Sequence, residues 1–302
     1  MKKDDSPDGR EDDHHLINRI VEISEFSFFI VFTDLDGTLL DKYTYEWKEA
    51  VPALDLCKRL NIPVVLTSSK TRTEINSLRS ALSISAPFIS ENGGGIFVPD
   101  DTFEDLPPGG FFDKGLWKWS LGLPYSHVVK ALREIREEIG LNVLGFSDMS
   151  IKEISDLTGL GPEASRLATL REYDEPFVIV DEKSHDMKVL YDAAARRGLT
   201  VIPGGRFYHL QGNNDKGHAI RMVVSWYRKY HSHVVSIALG DSPNDFPMLE
   251  QVDFPVLIRS QRDPVKLTRR IPRLMHTSEM GPKGWNAAVL DILSNKEEKC
   301  NA

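Results

Sequence analysis

The chain has 302 residues, 41% hydrophobic and 27% charged, the composition of a soluble globular protein with room for a sizeable core. Its net charge of -8 argues against a general nucleic-acid surface, and no stretch approaches the ~18 apolar residues of a membrane span. Only Cys57 and Cys300 occur, so neither a disulfide framework nor a cysteine metal site is suggested, and a reducing cytoplasm fits.

Residues 1–27 form a charged leader without an apolar signal region, and its first half is expected to be disordered. His14 and His15 read as part of that solvated tail, because two adjacent histidines supply no closed coordination set. Leu16 to Phe26 suits a short helix or strand packed on the domain. The five apolar residues Phe28 to Phe32 then predict a parallel strand buried on both faces. That strand ends in Asp34 and Asp36, with Gly37 and Thr38 to turn the backbone, where ligands of open α/β sheets bind. Two adjacent carboxylates repel, so the pair implies a cation, and oxygen ligands favour Mg²⁺.

DLDGTLL resembles the nucleophile motif of the haloacid dehalogenase superfamily of phosphatases. The resemblance implies a Rossmann-like parallel-sheet α/β core with an inserted α+β cap domain. It also implies an aspartyl-phosphate on Asp34, with Asp36 as general acid and base. A Ser or Thr after a second strand, then a Lys, then a late acidic loop should follow.

Pro52 opens a helix whose buried face includes Cys57. Val64 to Leu66 form the next strand, and Thr67, Ser68, Ser69 and Lys70 emerge from its end. Ser68 aligns with the second superfamily motif, although three adjacent hydroxyls leave the phosphate-binding one open by a position. Ser69, Lys70 and Arg72 add candidate anion-binding groups. Thr71 with Glu74 makes a capping box for the helix that follows. Phe88–Ile89 and Ile96–Val98 read as a hairpin leaving the core, with the three glycines between them as a plain turn. Asn92 in that turn resembles a substrate-side loop of the superfamily.

From 96 to 205 the pattern changes to short strands and amphipathic helices, expected to be the cap, leaving 28–95 and 206–302 as the core domain. Apolar spacing predicts a helix over 126–139 capped by Ser126, another opened by Pro162, and a third through Met187, Leu190, Tyr191 and Ala194. Phe177–Val180 and Leu199–Ile202 read as strands.

Lys216 begins a helix and follows Ser68 in the order of the superfamily's third motif. Val234 to Leu239 form a strand ending in Gly240, Asp241, Ser242, Pro243, Asn244 and Asp245. Asp34, Asp241 and the Asp36 carbonyl are the expected Mg²⁺ ligands, with Asp245 direct or outer-shell and Asn244 on the substrate side. Phe254–Ile258 is expected to be the last core strand.

TSSKTRTE, SENGGGIF, LTGLGPEASRLATLREYDEPF, GGRFYHLQGNNDKG and ALGDSPNDFPML are similar to the mannosyl-3-phosphoglycerate phosphatase family over about residues 28–293. This resemblance implies a small phosphorylated sugar substrate, hydrolysed to mannosylglycerate, a compatible solute, with glucosyl-3-phosphoglycerate as the epimeric alternative. A catalytically silent sugar-phosphate-binding protein on the same fold is the non-enzymatic alternative. Arg171 and Arg206 are chemically suited to bidentate recognition of anions, and Glu172 to accepting sugar hydroxyls.

Overall fold

The structure is a computed structural model describing residues 26–180, 187–204, 206–261 and 271–300, with side chains to 294. The disorder expected for 1–15 and the helix or strand expected within 16–26 fall outside the described residues, except Phe26. In chain order the first elements are β1 (Phe28–Thr33), α1 (Val51–Arg59), β2 (Val64–Thr67), α2 (Arg72–Leu82), β3 (Phe88–Ser90), β4 (Gly95–Pro99), β5 (Phe111–Asp113) and β6 (Leu116–Ser120). The middle holds α3 (Tyr125–Ile139), β7 (Val143–Gly145), α4 (Ile151–Thr158), α5 (Pro162–Ala168), β8 (Asp174–Ile179), α6 (Met187–Ala195), β9 (Thr200–Pro203) and β10 (Tyr208–Gln211). The chain closes with α7 (Lys216–Tyr227), β11 (Val234–Gly240), α8 (Phe246–Leu249), β12 (Phe254–Arg259), β13 (Met275–Met280) and α9 (Gly281–Cys300).

One sheet runs β13-β12-β11-β1-β2-β3-β4-β6-β5. Pairing is parallel from β13 through β3 and antiparallel beyond it. The uninterrupted apolar run of β1 has two destinations: Phe29 and Val31 join one core layer, Ile30 and Phe32 the other. Trp285 of α9 is wholly buried in the first layer and donates its indole N–H to Thr33 Oγ1 at 2.9 Å. From β1 the chain winds outward through β2 and β3 on one side, then returns to place β11 on the other. The carboxyl ends of β1 and β11 therefore flank the crevice where strand order reverses.

A second sheet, β7-β8-β10-β9, is antiparallel throughout and packs against α3 and α6. Sheet membership corrects the 96–205 boundaries. Strands β4, β5 and β6 extend the large sheet, so the inserted unit begins after Ser120, and β10 carries its far limit to Gln211. The hairpin β3–β4 stays within the large sheet instead of leaving it. Alternation in short strands reports a buried face without naming the sheet that receives it. Likewise α3 starts after Pro124, with Ser126 inside the helix and no side-chain cap. Strand β13 lies beyond β12, so Phe254–Ile258 is not the last strand of the sheet.

Candidate active site

Parallel pairing sets Thr33 of β1 beside Leu239 of β11, and the Asp34 N–H donates to the Leu239 carbonyl at 2.9 Å. That register delivers Asp34 and Asp241 to one crevice. Gly37 turns there with φ +85°, and a Cβ on it would lie 2.7 Å from Asp241 Oδ2, so only glycine lets the two loops approach this closely. Lys216, the first residue of α7, reaches between them. Its Nζ stands 2.6 Å from Asp34 Oδ1 and 2.7 Å from Asp245 Oδ1 with no exposure of the side chain. Asp245 Oδ2 in turn accepts the N–H groups of Asp241 and Ser242, each at 3.0 Å, and so shapes the acidic loop.

Asp34, Asp241 and Asp245 each offer an oxygen, all within 4.8 Å of one another. Burial and then Asp245 raise the Asp34 carboxyl above the usual carboxylate range, against the pull of Lys216. Burial and Asp245 push Asp241 up to about 7. Burial works against the Lys216 ammonium, yet Asp245 and Asp34 hold it above its ordinary value. Three carboxylates facing one ammonium leave negative charge in a desolvated place, and an all-oxygen set of this kind fits a hard divalent cation.

Asp36 is more open, its side chain 40% exposed, with Oδ2 2.9 Å from Lys70 Nζ. Its Oδ1 is buried with no hydrogen-bond partner among the described residues, a proton acceptor beside the nucleophile candidate. Asp36 stands outside the three-carboxylate cluster. At the β2–α2 junction Thr67 Oγ1 turns back to the Val65 carbonyl, whereas Ser68 and Ser69 line the cavity. The capping box of Thr71 and Glu74 is present.

The cavity, about 310 Å³, has an acidic and basic floor from the large-sheet unit and a roof from the inserted unit. Phe146, Leu160, Ala168, Pro176, Pro203 and Phe207 make the roof largely apolar, with the Phe146 and Phe207 rings edge to face at 5.0 Å. Arg206 lines it and bridges the two units, donating to the carbonyls of Thr158 and Lys42. Asn244 also lines the cavity. Arg171 lines it too, but its guanidinium is engaged by Asp174 and by the Ser69 carbonyl.

Three sequence candidates lie elsewhere. Arg72 and Glu172 pair with each other at 2.9 Å, and Arg72 also holds Asp113 while Glu172 holds Lys118, away from the cavity lining. Arg72 sits two residues past Lys70, in the first turn of α2, and is carried toward the antiparallel extension of the sheet. Asn92 is buried behind the floor, accepting from Asn244 Nδ2 at 3.2 Å and donating to Asp174 at 3.4 Å. Lys42, Tyr45 and His209 also line the cavity, and no motif in the sequence singles them out. Lys42 and Tyr45 follow DLDGTLL closely enough to have been suspected by position. His209 sits in the GGRFYHL segment on an inward strand position, with Nδ1 2.8 Å from Asp174 Oδ2.

A family model described as haloacid dehalogenase-like hydrolase matches residues 31–106 and 198–269, the two segments that flank most of the inserted unit. A glucosyl-3-phosphoglycerate/mannosyl-3-phosphoglycerate phosphatase of Methanococcoides burtonii is 40% identical over 265 residues, covering 87% of this chain and 97% of that protein. A mannosyl-3-phosphoglycerate phosphatase of Pyrococcus furiosus is 36% identical over 234 residues, covering 77% of this chain and 92% of that one. Among solved structures, a phosphatase of Bacteroides thetaiotaomicron superposes with a TM-score of 0.61 at 16% identity, over 94% of this chain and 99% of its own, a likeness of fold.

Proposed function

Since this chain belongs to the haloacid dehalogenase-like hydrolases, we propose that it hydrolyses mannosyl-3-phosphoglycerate to mannosylglycerate and phosphate, through a phosphoryl group carried on Asp34. The observation that carries the reading is the Lys216 ammonium buried between Asp34 and Asp245 under a separately folded roof. An oriented carboxylate nucleophile and a fixed cation beside it are what in-line phosphoryl transfer needs. Asp34 attacks phosphorus, the P–O bond to the glycerate C3 oxygen breaks, and Asp36 protonates that departing oxygen. Asp36 then takes a proton from the water that cleaves the aspartyl-phosphate, regenerating Asp34. The buried Oδ1 of Asp36 suits this exchange, while Lys70 on Oδ2 fixes the carboxyl group.

Ser68 and Ser69 hold phosphate oxygens, and Lys216 offsets the charge that develops on them. Asp34, Asp241 and Asp245 would hold Mg²⁺, with the Asp36 carbonyl a further oxygen donor. When bound, that ion supplies neutralisation of phosphate charge. Lys42 and Arg206, both on the cavity lining, are the cations best disposed for the glycerate carboxylate. The apolar roof favours a second substrate. Mannose and glucose differ in one hydroxyl orientation, which a wall of aromatic and aliphatic groups discriminates weakly, so the glucosyl compound should also be turned over. The product fits a compatible-solute role in the cytoplasm.

The test is phosphate release from both hexosyl compounds with Mg²⁺ or EDTA, using wild type and Asp34→Asn. Release should be EDTA-sensitive and fall at least about 10⁴-fold in the variant, since loss of a nucleophile removes the covalent route altogether. Undiminished release by Asp34→Asn would refute the nucleophile, and inert hexosyl compounds alongside turnover of other phosphosugars would refute the substrate.

A further inference from the structure

Glu91 takes no part in the chemistry above, yet it is fully buried and holds a left-handed backbone at φ +48°, followed by Asn92 at φ +54°. Burying a carboxylate and holding a non-glycine residue left-handed are both unfavourable, and persist only where the surroundings over-determine them. Here the surroundings are the inserted unit. The Glu91 carboxylate accepts the N–H groups of Glu172 at 3.0 Å, Tyr173 at 2.7 Å and Asp174 at 3.0 Å, three consecutive amides of the segment leading into β8. Burial raises this carboxyl, and Arg171, 3.8 Å away, opposes the rise.

The same segment is held from a second side. Tyr173 enters a slot made by Gly94, Gly95 and Gly122, where a Cβ would meet its side chain at 2.5, 2.8 and 2.8 Å respectively, and its hydroxyl meets Ser120 Oγ at 2.8 Å. The turn that carries Glu91 also grips the phosphate-binding loop. Asn92 N–H donates to the Ser68 carbonyl and Glu91 N–H to the Lys70 carbonyl, each at 3.0 Å, while Arg171 takes the Ser69 carbonyl between them at 2.8 Å. Three successive carbonyls of that loop are thus fixed, two by the turn and one by the segment that Glu91 seats.

We propose that Glu91 is a positioning residue whose carboxylate seats residues 172–174 on the large-sheet unit, setting where the apolar roof and Arg171 stand relative to the phosphate-binding loop. The proposal rests on the phosphatase reading above and makes the dependence on Glu91 a function of substrate size. A phosphate ester large enough to touch the roof needs the seat. Acetyl phosphate, too small to reach it, needs only the floor, where the Ser68 and Lys70 carbonyls keep their backbone bonds from Asn92 and Glu91 and only the Arg171 bond to Ser69 is exposed to the change.

Two variants disturb the seat from opposite sides. Glu91→Ala removes both accepting oxygens, so the three amides lose their common acceptor. Gly94→Ala sits at an ordinary φ of -67°, so it strains no backbone and acts only by crowding Tyr173. For both, kcat/KM on mannosyl-3-phosphoglycerate should fall by about a hundredfold, the usual consequence of misplacement by an ångström, while turnover of acetyl phosphate stays within about twofold of wild type. Equal losses on both substrates would reduce Glu91 to a general stabiliser and overturn the proposal. Hydrogen–deuterium exchange reads the seat without substrate: amides 172–174 should exchange faster in both variants, and β1 and β2 should not. Unchanged protection at 172–174 would overturn the proposal even if the wild type proved to prefer another phosphosugar, a result that would instead count against the substrate reading.

Discussion

At the scale of single residues, the site is an electrostatic problem with one solution in its protein part. Lys216 is the ammonium wedged against two of the three clustered carboxylates, and a buried charge that loses its partner costs far more than an exposed one. Lys216→Met should therefore abolish turnover and, in EDTA, destabilise the fold by about 3–5 kcal/mol, measured by urea denaturation. A stable variant would mean that the carboxylates relieve one another by protonation. The sequence made Asp34, Asp241, Asp245 and Lys216 legible because each sits at an element end, where short connections leave little choice of direction. Arg72 and Glu172 lie off the cavity lining because long charged side chains go where partners are, and those partners, Asp113 and Lys118, lie on strands whose sheet the sequence pattern does not name. The three glycines read as a plain turn prove to be in large part a packing surface for Tyr173.

At the scale of elements, the strongly patterned pieces were readable: β1, β2 and β11 as apolar runs, α2 from its capping box, and α5 from its opening proline. β13 was not, since MHTSEM alternates half-buried and exposed residues at a sheet edge and carries no apolar run. Helix α9 covers one face of the large sheet through Trp285, whose indole reaches the Thr33 hydroxyl one residue before Asp34. Trp285→Ala removes that ring from a wholly buried position. It should cost about 3–5 kcal/mol of stability, read as a lower urea midpoint with little change in slope. A much smaller loss would show that α9 is held by its flanking contacts and not by this anchor.

At the scale of the whole molecule, the reversal of strand order between β1 and β11 explains why residues 34 and 241 are neighbours, and the inserted unit between β6 and α7 explains why one chain closes over its own crevice. Two halves of one acidic cluster arrive from segments far apart in sequence, so a cation bound there ties the fold together. Mg²⁺ at a hundred times its dissociation constant should stabilise the protein by about 2.7 kcal/mol, read as a rise in melting temperature. Asp241→Asn should lose most of that rise. A rise retained in the variant would relocate the ion.

The Tyr173 slot has a bearing on how such proteins diversify. A tyrosine from the inserted unit fits only where the large-sheet unit and the first linker keep glycine at 94, 95 and 122. Roof and floor are therefore not freely interchangeable modules: a roof grafted from a relative must arrive with an aromatic ring that suits the recipient's glycines, or the recipient must change with it. Ancestry would be expected to tie these four positions together, so that new specificities arise by altering the Phe146 and Phe207 end of the roof while the glycine end stays fixed.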